Sequence, residues 1–128
     1  MLQLGFSNPQ FEVWAQRALM NIAEGGCEIG EVLALAPRIP AGSVDAWHSE
    51  WCALADRLFQ QAQACQKKGH LISARQLYQR AATYYRTSYP LLFGAPTDPR
   101  VVQAYRNEAR AFQCAAQLFT PPIEVQAI

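Results

Sequence analysis

The chain has 128 residues, 51% of them hydrophobic and 16% charged. Ordinary globular chains carry about 25% charged residues, so the balance excludes a disordered chain and points to one folded domain with little room for a second. Eleven basic residues against ten acidic leave a net charge of +1, which excludes nucleic-acid binding driven by charge alone. No apolar run reaches the roughly 18 residues of a membrane span. The opening MLQLGFSNPQ lacks the basic start and apolar stretch of a signal peptide. The expectation is a cytoplasmic protein with neither a nucleic-acid nor a membrane partner.

Strand signals are weak, and the long segments follow helical spacing. Asn8-Pro9 reads as an N-cap with proline at the first helical position. Phe11, Trp14, Ala18 and Ile22 then share a face, and Gly25-Gly26 closes that helix. A shorter segment follows with Ile29, Val32, Leu33 and Ala36 as its buried stripe, stopped by Pro37 and Pro40. Ser43 caps a third helix whose stripe is Trp47, Trp51, Leu54, Leu58, Ala62 and Cys65. Gly69 ends it, and a fourth helix starts at once with Leu71, Ala74, Tyr78, Ala81 and Tyr85, widened by Leu77 and Tyr84. The tight junction implies an antiparallel hairpin.

The segment YPLLFGAPTDP is a loop, dense in proline and glycine. Asp98-Pro99 repeats the cap signal, and Val102, Tyr105, Ala109, Phe112, Ala116 and Phe119 form the stripe of the last helix. Thr120-Pro121-Pro122 terminates it. In the tail IEVQAI, Ile123, Val125 and Ile128 read as the start of a strand with no sheet to join. The fold class expected is all-α: about five helices in a bundle, over residues 1–122, with residues 123–128 as a tail or linker.

Chemistry is sparse. No nucleophile elbow, phosphate-binding glycine loop or H-E-x-x-H pattern occurs. Cys27, Cys52, Cys65 and Cys114 form no CxxC pair, and with only His48 and His70 there is no recognisable zinc spacing. The cysteines read as small core hydrophobes, and neither a metal nor a cofactor is expected. His48 and Glu50, two apart on a helix, point in different directions and make a poor acid–base pair. His48 and His70 therefore read as surface or interface residues.

The aromatics carry more information. Tyr84 and Tyr85 are adjacent, so they differ by about 100° around the helix and are not expected to face one core. One of them, with Tyr89 and Leu91-Leu92-Phe93, is expected to face a ligand, a second domain or a second copy of the chain. Arg75, Arg80 and Arg86 read as a solvated face by default. Arg86 follows the tyrosine pair and is placed to supply a charge at an aromatic-lined pocket.

Two resemblances follow. Ala62, Gly69, Leu71, Ala74, Tyr78 and Ala81 match one tetratricopeptide hairpin. Only one unit fits where a stable array needs about three, so the match indicates a helical hairpin and not a repeat protein.

The second resemblance covers roughly residues 20 to 128. Its carriers are Trp47, Trp51, Leu54 and Ala55, then Gly69, Ser73-Ala74, Tyr78, Ala81 and Tyr84-Tyr85, then Asp98-Pro99-Arg100 and Pro121-Pro122-Ile123-Glu124. In that order the sequence resembles the N-terminal helical domain of the α/β-hydrolases that include dihydroxypseudooxynicotine hydrolase, fungal polyketide chain-shortening hydrolases and the fermentation–respiration switch protein. The resemblance implies a lid over the active site of a serine α/β-hydrolase acting on an ester, or on a carbon–carbon bond next to a carbonyl. The catalytic triad then belongs to a following domain, in the same or a separate chain, and the IEVQAI tail falls where that domain's first strand starts. Trp51, Tyr84, Tyr85, Arg86 and Tyr89 are the candidate substrate-pocket or interdomain residues, with Tyr85→Ala expected to alter selectivity more than stability. The alternative is a stand-alone helical interaction module, with a homodimer as one form, using the same aromatics.

Overall fold

The computed structural model describes residues 3–128. Five α-helices appear, and among the described residues there is no strand. Helix α1 runs Pro9–Leu19, α2 Ile29–Leu35, α3 Val44–Lys67, α4 Leu71–Ser88 and α5 Pro99–Gln117, with a single 3-10 turn at Ala36–Arg38 after α2. The all-α class and the helix count are as the periodicity implies.

The caps are those the sequence signals. The Asn8 side chain accepts from the N–H groups of Gln10 and Phe11, the Ser43 hydroxyl from Ala46 and the Asp98 carboxylate from Arg100. Each satisfies helix donors that have no intrahelical partner. Gly69, at φ +80°, makes the left-handed turn between α3 and α4. These two helices form the most extensive packing pair in the molecule, and α5 lies against α4 on another side.

The core is a run of rings. Phe11 lies 4.8 Å from Trp47, Trp47 5.3 Å from Trp51 and Trp51 5.6 Å from Tyr84, measured between centroids. Each such pair contributes about 0.5–1.5 kcal/mol beyond simple area burial. Trp47 also donates its indole N–H to the Thr87 carbonyl at 2.9 Å, tying α3 to the last turn of α4.

Three stretches depart from the expected stripes. First, α1 ends at Leu19, ahead of the glycine pair, and Ile22 is exposed. The Asn21 amide donates to the Arg17 and Ala18 carbonyls and closes the helix with a side chain. Gly26 then has a different task. A Cβ there would sit 2.9 Å from the Thr83 hydroxyl, so the glycine lets the connecting loop lie close on α4. Second, α2 buries Val32 and Leu35 while Ile29 and Leu33 face outward. Third, α5 buries Ala104, Ala111, Ala115 and Ala116, whereas Val102, Tyr105 and Phe112 are exposed. The apolar sector of α5 is wider than its contact. Its alanine edge allows close approach to α4, and the bulky edge is left outside. The tail from residue 123 to residue 128 is exposed along its length.

Candidate functional site

The tyrosines of α4 turn inward, each toward a different neighbour. The Tyr84 hydroxyl donates to Glu31 of α2 at 2.5 Å and accepts from the Glu28 N–H at 3.0 Å. Tyr85 donates to Asp56 of α3. Tyr89, just past the end of α4, donates to Glu108 of α5 at 2.7 Å. Burial and the carboxylate that each hydroxyl serves push all three pKa values up, that of Tyr89 to about 12. Arg80 completes the α2 contact, pairing with Glu31 at 3.1 Å.

This corrects the expectation that Tyr84 and Tyr85 cannot both be internal. Tyr84 is fully buried and Tyr85 is 4% exposed. The 100° argument assumes a helix with one covered side, but α4 has α3 on one side, α5 on another and the α1–α2 region on a third. Trp51 is also fully enclosed. As the chain folds, these three rings form core and tie elements together, and they offer no surface to a ligand. Leu91 and Leu92 are buried too, leaving Phe93 as the exposed member of that loop trio, at 80%.

Arg86 and Tyr89 lie elsewhere. Arg86 is exposed at the edge of a cleft of about 210 Å³ between the α1–α2 loop, α4 and α5. Glu108, the acceptor of Tyr89, lines the same cleft, and so does Phe112. Phe112 also belongs to the exposed stripe of α5, with Val102 and Tyr105. Arg86 therefore lines this place and Tyr89 reaches it only through Glu108, while the exposed stripe of α5 continues from it. Its signal was two apolar edges on one helix, the alanines Ala104, Ala111 and Ala115 and the bulky Val102, Tyr105 and Phe112, of which a single neighbour covers one.

The nearest thing to a catalytic grouping is His48, Cys52 and Ser88. The Cys52 sulfur lies 3.8 Å from His48 Nε2, and His48 Nδ1 lies 3.3 Å from the Ser88 carbonyl. Burial lowers the His48 pKa and raises that of Cys52. Both shifts favour a neutral thiol beside a neutral imidazole, the opposite of what an activated nucleophile needs. The Ser88 hydroxyl is committed to the Tyr85 carbonyl at 2.6 Å. Glu50 is drawn to Arg38, at 2.8 Å, and makes no pair with His48. Among the described residues no cluster of three or more His, Cys, Asp or Glu is placed to hold a metal, and no helix is long and apolar enough to cross a membrane.

Comparison with known proteins bears on the exposed stripe. No protein-family model matches the chain. It is 33% identical over 102 residues to a protein named hydrolase acrC from Aspergillus aculeatus, an alignment covering 80% of this chain and 24% of that protein. It is 33% identical over 107 residues to 20-hydroxy-prefusarin hydrolase FUS2 of Gibberella moniliformis, covering 84% and 26%. With α/β hydrolase gkaG of Penicillium citrinum the identity is 31% over 108 residues, covering 84% and 25%. The chain is homologous to one segment of these proteins, which are named hydrolase or α/β hydrolase. It spans about a quarter of the length of the curated relatives it matches. That segment folds here as a helical bundle, with an apolar helix face open to solvent.

Proposed function

We propose that this chain is the helical cap of a serine α/β-hydrolase and that the outer face of α5 is where it rests on the catalytic domain. The observation that carries this reading is the stripe Val102, Tyr105 and Phe112, exposed at 42%, 60% and 47%. Bulky apolar side chains aligned along one helix mark a surface that is covered in use. The relatives, about four times the length of the aligned segment, contain chain enough to cover it.

In this reading residues 1–122 form the cap and residues 123–128 lead toward the catalytic domain. The cap does not break bonds. It excludes water, narrows substrate access and supplies walls, while a serine nucleophile on the other domain hydrolyses an ester or a carbon–carbon bond next to a carbonyl. Trp51, Tyr84 and Tyr85 act from inside, fixing the shape of the cap. Arg86 and Tyr89 lie at the rim, where the stripe meets the cleft.

The test begins with the intact mass of the protein as its native host makes it. A mass larger by a whole hydrolase domain supports the reading. A mass of 14.3 kDa, with no hydrolase chain co-purifying, overturns it. In the larger protein, Tyr105→Glu with Phe112→Glu should change KM and selectivity across a set of acyl substrates while the fold persists. A native 14.3 kDa product that sediments as a discrete dimer, and splits on Tyr105→Glu, assigns the face to self-association instead.

A further inference from the structure

A second cleft of about 210 Å³ adjoins the first, between α1 and the last turns of α4. Its charged lining residues are Arg17 and Arg86, and no acidic residue is among its lining. Two other clefts differ. Glu24 and Glu108 balance Arg86 on the other side of α4, and three glutamates accompany Arg38 and Arg57 in the cleft between α2 and α3. Basic residues near a helix C-terminus ordinarily offset that helix's own dipole. Arg17 and Arg86 do this for α1 and α4, and both also reach the walls of one cavity.

The cavity is also partly organised. The Arg17 guanidinium lies 4.5 Å from the centroid of the Trp14 ring, which holds it over an aromatic face. The Asn21 side chain is fixed by its bonds to the Arg17 and Ala18 carbonyls. The Thr87 hydroxyl is spent on the Thr83 carbonyl at 2.8 Å and offers no proton to a ligand. The charged donors that line the cavity are the two guanidinium groups, whose planar forks match a carboxylate. Pro90 and Trp14 give the walls apolar surface. The volume lies below the 300–1,000 Å³ typical of sites for drug-sized ligands, so the guest is small.

We propose that the α1–α4 cleft is a binding site for a small carboxylate with a flat apolar body, held by Arg17 and Arg86 against Trp14. The site is built wholly from this chain and does not depend on the cap reading. Sodium benzoate is the probe, with benzamide as its neutral isostere and sodium chloride at matched ionic strength as the screening control. In amide and side-chain NMR spectra of the 128-residue chain, benzoate should produce saturable shifts at the Trp14 indole and at the Arg17 and Arg86 side chains. Benzamide and chloride should produce none of them. Arg86→Gln and Arg17→Gln should each weaken benzoate binding about tenfold, the loss of one charge-assisted hydrogen-bonding partner. Both arginines are exposed, so the variants should keep the dispersed spectrum of the folded chain. Shifts that never saturate, that chloride reproduces, or that survive Arg86→Gln overturn the proposal.

Discussion

Helices α4 and α5 are matched amphipaths in sequence and opposites in structure. In α4 all three aromatics are internal: Tyr78, Tyr84 and Tyr85 are at most 4% exposed. In α5 the aromatics Tyr105 and Phe112 are about half exposed or more, and alanines make the contact. The difference lies in position. Helix α4 is covered from several sides, so apolar residues 100° apart both find a neighbour. Helix α5 is a flank, and its alanine edge wins the contact because small side chains let two helices approach closely. The bulky edge faces solvent.

The sharpest way to break this contrast is to remove a ring from the inner region. Trp51→Ala deletes a fully buried indole and should cost about 3–5 kcal/mol, read as a fall in the urea midpoint. Next in size are two changes of about 1–3 kcal/mol each. Tyr84→Phe leaves the Glu31 carboxylate and the Glu28 N–H without their shared hydroxyl. Ala111→Phe overfills a seam position that is 0% exposed. If Ala111→Phe proves harmless, the alanine edge is not what seats α5.

Alkaline pH separates the inner tyrosines by another route. In the folded chain their pKa values stand above the ordinary value of about 10, that of Tyr89 at about 12 and those of Tyr84 and Tyr85 higher still. The unfolded chain releases these protons first. The stability they contribute is therefore full below pH ~10 and is lost as pH rises through the folded values. Each tyrosine steepens the decline by at most ~1.4 kcal/mol per pH unit. Denaturation midpoints measured from neutral pH upward should turn down above pH ~10, and less steeply in Tyr84→Phe. Equal slopes in the two proteins would remove Tyr84 from the account.

Much of the fold could be read directly. Asn8-Pro9, Ser43 and Asp98-Pro99 mark real caps, Gly69 makes the hairpin turn, and the step pattern from Trp47 to Ala62 is the buried face of α3. These are local signals, fixed by backbone chemistry within a few residues. What sequence could not supply was the set of neighbours around each helix. Periodicity finds an apolar face but not how many helices cover it. By periodicity alone Tyr84 and Tyr85 conflict, whereas α4 is central, and Phe112 reads as core, whereas α5 is a flank. At the candidate site, Arg86 could be flagged from its place after the tyrosine pair. Arg17 could not, because its partner across the cleft lies on another helix far along the chain.

The smallest expected effect is also the one that reports most directly on what covers α5. Tyr105→Ser replaces a ring that is 60% exposed and packs on no neighbouring ring in the core. In the 128-residue chain the denaturation midpoint should stay within about 0.5 kcal/mol of the parent, the ordinary range for a surface change. The same exchange in a protein that carries a catalytic domain should cost more, because a Tyr side chain buried at a seam contributes area that an exposed one does not. Each value alone mixes packing with helix propensity. Their difference cancels the propensity, which is common to both, and leaves the burial that the second domain adds at Tyr105. A difference near zero places the seam on another face of the bundle, and a clear excess in the longer protein places it along Val102, Tyr105 and Phe112.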